Sequence, residues 1–265
     1  MKPLRGSVEQ TLASTGRFLR NCWQLTGQAI DELLFPAYCP VCDIATGGPP
    51  FCPDCRGELL GASGPTCPRC AMPVGPFSDL EGGCSECRGR TLGFDRAIAL
   101  GPYQGPIRHL CLSLKHERNA WMARWLAELV VDGCSEPLRS EAQAEGGAWV
   151  VPVPLHWRRR MTRGYNQAEA LAIGMARALK LKVRHPLRRV VATPRLAQVG
   201  RTERARLLKD AFRARTSRSL EGRTILLVDD ILTSGATCGA AARALKKAGA
   251  SRVVVVVVGR AEGKP

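Results

Sequence analysis

Three stretches of the chain place aliphatic residues on consecutive positions: AWVVPVPLH at 148–156, TILLVDD at 224–230 and RVVVVVVGR at 252–260. A strand with one wet face alternates apolar and polar residues, so an unbroken aliphatic run implies burial on both faces. Such strands belong to parallel sheets, which need helices on both sides. NQAEALAIGMARALK (166–180) and TCGAAARALKKAGA (237–250) supply two of them. GPIRHLCLSLKHERNAWMARWLAELVVDG (105–133) predicts one long amphipathic helix ended by Gly133, and FDRAIALGPY (94–103) predicts a strand entering a turn. The polar stretch SEPLRSEAQAEGG (135–147) is expected to be a loop. Strands alternating with helices make an α/β domain, a parallel sheet flanked by helices, assigned to residues 97–265.

From Cys39 to Cys87 the texture changes to Pro, Gly and Cys with few long apolar residues. Four CxxC pairs stand there: Cys39/Cys42, Cys52/Cys55, Cys67/Cys70 and Cys84/Cys87. Each pair suits a tight turn that aims two thiolates at one metal, so two pairs make a tetrahedral four-sulfur zinc site. Nine residues separate the first pair from the second, and thirteen the third from the fourth; both gaps suit a ribbon hairpin. The halves are alike, CPVC…CPDC against CPRC…CSEC, which predicts a double zinc ribbon over 37–96 with neighbouring pairs sharing a metal. A thioredoxin-like redox reading explains only one pair, and disulfides need an oxidising compartment. All eight cysteines are therefore expected to ligate two structural zinc ions, with every position filled and no chemistry of their own. Cys22, Cys111, Cys134 and Cys238 have no spacing partner and read as small core residues, and the four histidines read as non-ligands. Ahead of the ribbons, Val8, Leu12, Leu19, Trp23, Ile30 and Leu34 recur at helical spacing until Pro36. Residues 1–36 are thus expected to carry an amphipathic helix over 5–34, used for packing, since its polar face is not strongly basic.

The longest aliphatic run, Val253 to Val258, is six residues, far short of the ~20 a membrane span needs. No membrane partner is expected, and with no signal-like segment at the N-terminus a cytoplasmic location is. The net charge is +16, and it is unevenly spread: residues 156–223 hold nineteen basic side chains against four acidic ones. Such a block fits a phosphate-bearing or nucleic-acid partner. A solvated basic face explains it equally well, because 31 of the 39 cations are arginine. The charge therefore only selects among anionic partners.

ILLVDDILTSGATCGAA, 225–241, carries the chemistry: an aliphatic strand runs into two acids, then a Thr/Ser/Gly turn, then a helix. A magnesium-binding strand of a P-loop ATPase would look similar, but the chain contains no GxxxxGK[ST] loop, and no GxGxxG follows a strand. The turn itself is suited to an anion. Backbone N–H groups of a turn and of a helix N-terminus converge on a phosphate. Thr233, Ser234 and Thr237 add hydroxyls, while Gly235 and Ala236 keep the backbone approachable. Asp229 and Asp230, one loop away, are spaced to accept from the 2′ and 3′ hydroxyls of a ribose whose 5′-phosphate sits in the loop.

This stretch resembles the phosphoribosyl-diphosphate (PRPP) motif of type I phosphoribosyltransferases. The resemblance widens to LLFPAYCPVC (33–42), YQGPIRHLCLSLKH (103–116), VPVPLHWRRRMTRGYNQAEALA (151–172) and RLAQVGRTERARLLKDAF (195–212). In that order, with the acid motif, they are similar to the ComF family, with Tyr165 standing where the family has Phe. The resemblance implies a type I phosphoribosyltransferase fold with a small N-terminal cysteine-rich zinc-ribbon region, and a link to natural transformation and the handling of imported single-stranded DNA. It also implies roles for further residues. Pro154, Leu155 and His156 match the loop that meets the pyrophosphate, where a cis X–Pro bond at Pro152 or Pro154 would suit. Arg201 and Arg204 fall in the position of the mobile loop that closes over substrate, and Lys115, Asn166 and Gln167 match family motifs on the substrate side.

The implied chemistry is magnesium-dependent transfer of a phosphoribosyl group, with Asp229 and Asp230 beside an oxocarbenium-like ribose. A second reading keeps the fold as a non-catalytic PRPP or nucleotide binder whose partners are single-stranded DNA, a competence helicase or another DNA-uptake protein. The acid pair favours the first, and the basic block with the ribbons favours the second. No motif names an acceptor base or amine.

Overall fold

The computed structural model describes residues 38–62, 64–155, 164–191, 207–208, 210–215 and 220–262. The helix expected over 5–34 and Cys22 lie outside them. The chain divides into two compact units, 1–55 and 56–265, so the first cysteine cluster belongs to one and the second cluster to the other.

In chain order, helix α1 (Pro53–Gly61) precedes strand β1 (Arg96–Pro102), then come α2 (Gly105–Ser113), α3 (Met122–Gly133), α4 (Ser135–Ala142) and β2 (Ala148–Pro152). Helix α5 (Gln167–Ala178) is followed by β3 (Lys182–Val183), β4 (Leu187–Arg189), β5 (Phe212–Ala214), β6 (Thr224–Leu232), α6 (Ala236–Lys247) and β7 (Arg252–Arg260). Five strands form one parallel sheet in the order β1-β7-β6-β2-β3, and β4 pairs antiparallel with β5. The aliphatic runs are buried on both faces, as their composition requires. Val151, Ile225, Leu227, Val253, Val255 and Val257 pack with Cys238, Ala241, Ala242 and Leu245 of α6. The intervening Val150, Leu226, Val228, Val254, Val256 and Val258 are also buried. They face the opposite side, where α3 and α5 pack against each other and against the sheet. Gly174 lets those two helices close up, because a Cβ there would meet Ala127 Cβ at 2.6 Å.

Two sequence expectations are corrected. The single helix over 105–133 is broken into α2, a 3₁₀ turn at Glu117–Asn119, and α3. Asn119 Nδ2 donates to the Ser113 carbonyl at 3.0 Å, capping the end of α2 with a side chain in place of the next helical turn. The stretch 135–147 begins as a helix, α4, and not as a loop. Its polarity is deceptive: Leu138 is fully buried, and the buried Glu141 accepts from Arg252 Nε and Nη2 at 2.7 and 2.8 Å. Arg96 adds a third contact to Glu141 at 3.6 Å, so this acid joins α4 to the N-terminal ends of β1 and β7. Among the described residues no helix is long and apolar enough to cross a membrane.

Candidate functional site

The cysteines gather as the spacing predicts. Cys39, Cys42, Cys52 and Cys55 form one cluster and Cys67, Cys70, Cys84 and Cys87 the other, with the sulfurs of each within 4.8 Å of one another. Adjacent sulfurs stand at 3.6 Å (Cys42 and Cys52), 3.6 Å (Cys67 and Cys87) and 3.5 Å (Cys70 and Cys84). A tetrahedron with Zn–S bonds of about 2.3 Å has edges of about 3.8 Å, so zinc fits both clusters. The first knuckle of each ribbon is built alike. Asp43 N–H donates to the Cys39 carbonyl and Ala71 N–H to the Cys67 carbonyl, both at 2.9 Å, with Asp43 and Ala71 each at positive φ. The second knuckles differ, since Cys55 lies in the first turn of α1 whereas Cys84 and Cys87 lie on turns. Burial raises the Cys39 and Cys67 thiols, but backbone N–H groups outweigh it and bring each down to about 7. Burial and their neighbours push Cys55 and Cys70 far up.

The acid pair lies near the C-terminal end of β6, the central strand of the sheet, on the edge where open α/β sheets take their ligands. Both carboxylates are half-buried. Asp229 Oδ1 accepts from the Asp230 N–H at 3.0 Å, and Asp230 Oδ1 from the Ile231 N–H at 2.8 Å. Asp229 also faces α6, where the Cys238 thiol donates to Oδ2 at 3.7 Å. Burial, and after it the Asp230 charge, hold the Asp229 carboxyl well above the ordinary carboxylate range. Burial and the same acids push the Cys238 thiol well up, so it stays protonated as a donor.

Thr233 is exposed and Ser234, Gly235, Ala236 and Thr237 are half-buried, carrying the chain from β6 into α6. The turn requires its glycine: Gly235 sits at φ 76°, the left-handed region, as the N-cap of α6. Ser234 Oγ accepts from the Ala236 N–H at 3.4 Å. Two loops lie beside this turn. Pro152 of β2 pairs with Val228, and Val153 N–H donates to the Val228 carbonyl at 2.9 Å, so Pro154 and Leu155 emerge next to the acids. No peptide bond among the described residues is cis, which corrects the expectation at Pro152 and Pro154; the β2 ladder simply continues through Val153. Lys115 follows α2 and bears on the Cys111 thiol, as does Asp230, whose carbonyl that thiol approaches at 3.9 Å. Asn166 Nδ2 donates to the Val153 carbonyl at 3.3 Å, and Gln167 is buried in the first turn of α5. Cys111, Cys134 and Cys238 are core residues, as expected. His156, Arg201 and Arg204 lie outside the described residues.

Comparison with known proteins accounts for both halves of the chain. A double zinc ribbon domain family matches residues 30–89, and a phosphoribosyl transferase domain family matches 166–264. Competence protein F of Haemophilus influenzae is 28% identical over 222 residues, covering 79% of this chain and 96% of that protein. Competence protein ComFC of Bacillus subtilis strain 168 is 28% identical over 200 residues, 75% of this chain and 78% of its own. DNA utilization protein YhgH of Salmonella typhi is 31% identical over 190 residues, 71% of this chain and 81% of its own. The chain belongs to the ComF family. Its ComF ribbons hold two zinc ions, one per cluster.

Within this ComF chain, three residues beside the site were not found by sequence reasoning. Tyr165, noted only as a departure from the family's Phe, donates its hydroxyl to the Leu114 carbonyl and so ties the start of α5 to the end of α2. Arg90 reaches the Ser234 carbonyl at 3.5 Å. Arg260, buried at the end of β7, donates to the carbonyls of Leu232 at 3.0 Å, Thr233 at 2.7 Å and Cys70 at 2.8 Å. A cation closing a fully buried strand was the available signal. Arginine is also common at strand ends, so the signal carried no role.

Proposed function

We propose that the protein binds PRPP with magnesium at the end of β6 and transfers or releases its phosphoribosyl group, in the service of DNA uptake. The observation that supports this most directly is the half-buried Asp229/Asp230 pair followed at once by the positive-φ turn into α6. A carboxylate whose charge is opposed by burial and by a like neighbour is a site that gains from a cation. Bound there, magnesium would take up charge on the departing diphosphate, and Asp229 and Asp230 are the residues that would hold it.

The protein's own part is binding and charge placement. The loop 233–237 receives the 5′-phosphate through N–H and hydroxyl donors. The acids fix the ribose hydroxyls and stabilise positive charge as the C1′–diphosphate bond breaks. Pro154, Leu155 and His156, with Arg201 and Arg204, take the diphosphate side, and Lys115 adds a polar group on the substrate side. The relatives' names as competence and DNA utilization proteins support the DNA-uptake setting. Calorimetry with PRPP and Mg²⁺ tests the binding, and a pyrophosphate-release screen across bases and amines tests turnover. Asp229→Asn combined with Asp230→Asn is expected to abolish binding; unchanged affinity in that double variant would sink the reading.

The alternative, a non-catalytic accessory that uses the site as a sensor and contacts single-stranded DNA or a competence helicase, is favoured by the basic block at 156–223. PRPP binding without pyrophosphate release from any acceptor would select it.

A further inference from the structure

We propose that Arg260 and Arg90 are positioning residues for the anion loop, and that the second zinc site controls ligand affinity through them. The proposal rests on the reading of 233–237 as a phosphate loop and names what holds that loop in shape.

The geometry follows from the planar trans peptide, in which C=O and N–H point in opposite directions. Arg260 Nη1 takes the Leu232 and Thr233 carbonyls, and Arg90 Nη2 takes the Ser234 carbonyl. These three carbonyls belong to consecutive peptide planes. Their N–H groups, on Thr233, Ser234 and Gly235, are therefore turned to the side away from the arginines. Successive N–H groups facing one way make an anion-binding concavity. The two guanidinium groups also leave positive charge directly behind it.

Both arginines are in turn fixed by the second ribbon. Arg260 Nε donates at 2.8 Å to the carbonyl of Cys70, a zinc ligand. Arg69, between Cys67 and Cys70, donates at 3.1 Å to the carbonyl of Cys87 and at 3.0 Å to that of Arg90. The ribbon's exit also lies against the first turn of α6: a Cβ on Gly239 would overlap the Leu92 carbonyl, and one on Gly93 would meet the Gly239 carbonyl. Loss of the second zinc frees the Cys70 and Cys87 carbonyls, with them the arginines, and with those the loop. Coupling of this kind is reciprocal, so a ligand in the loop must also hold that zinc more firmly.

The test uses PRPP with Mg²⁺ as the probe, by calorimetry, on the full chain with both zincs in place. Arg260→Met is expected to weaken PRPP at least about tenfold, and Arg90→Ala about threefold, each keeping two zincs. In wild type, PRPP should slow chelator extraction of one zinc only, with alkylation of Cys67, Cys70, Cys84 and Cys87 delayed and that of the first cluster unchanged. The delay should shorten in Arg90→Ala, in which the Arg260 link remains. A merely structural role for the arginines would not move this protection. If Arg260→Met does not fold, Arg90→Ala, whose side chain is partly exposed, and the wild-type protection pattern still decide the matter. Wild-type PRPP affinity in the arginine variants, or equal protection of both clusters, overturns the coupling while leaving PRPP binding intact. Absence of PRPP binding to wild type overturns the phosphate-loop reading, and the coupling with it.

Discussion

Asp229→Asn should make the protein more stable and at the same time less able to bind. Asp229 is half-buried near the C-terminal end of β6 and stands beside the Asp230 carboxylate, and these two causes raise its carboxyl well above the ordinary 3.8. For scale, two unit charges about 4 Å apart at an effective dielectric near 20 interact by roughly 4 kcal/mol. Partial solvent access reduces this, so relief of the repulsion is expected to add about 1–2 kcal/mol at pH 8. The pH dependence has a definite sign. Between 3.8 and the raised value the native state keeps a proton that the unfolded chain has released. Stability therefore falls as pH rises through that window, and the cost is fully present above it. Asn carries no such proton, so variant and wild type should be nearly equal near pH 3.5 and should diverge as pH rises. Urea unfolding followed by circular dichroism at pH 3.5, 5.5 and 8 measures the difference, and calorimetry with PRPP and Mg²⁺ measures the loss of binding. A variant less stable than wild type at pH 8, or a difference that does not grow with pH, would refute the account of a charge held at a cost for its ligand.

Metal analysis should return two zinc ions per chain with all eight clustered cysteines reduced; one zinc, or a mapped Cys39–Cys42 disulfide, counts against the ribbons. Tyr165→Phe removes the hydroxyl bonded to the Leu114 carbonyl and should cost about 1 kcal/mol in chemical denaturation, with no change expected if water replaces it fully. Gly239→Ala forces a Cβ into the Leu92 carbonyl and should destabilise by about 1–3 kcal/mol, read as a fall in Tm; an unchanged Tm would mean the ribbon exit yields freely. Binding of single-stranded DNA should be modest, survive the Asp229/Asp230 double variant, and weaken when Arg158, Arg159 and Arg160 become Ala. Its dependence on log salt should have a slope of about 0.7 per phosphate contact, and binding indifferent to salt would remove DNA as a partner.

What the sequence disclosed was whatever a single element announces by itself. Val253 to Val258 state their burial without reference to any neighbour, and the CxxC pairs state their ligand geometry through spacing alone. The acid pair and its turn were legible for the same reason: strand, acids, glycine and helix are contiguous, and Gly235 takes the left-handed conformation its place in the turn demands. The failures are those in which a distant residue decides. The break after α2 depends on Asn119 reaching back to Ser113, and α4 depends on two arginines from other strands closing on Glu141. The two ribbons pose the same problem most sharply. CPVC…CPDC and CPRC…CSEC are close to interchangeable as patterns, and both clusters have zinc geometry. Only the second has its knuckle carbonyl bound by Arg260, a residue 190 positions away that also holds the carbonyls behind the loop. A cysteine pattern reports the metal it takes, but what the metal holds in place depends on the groups bonded to its knuckle, and here those lead to the turn after Asp230.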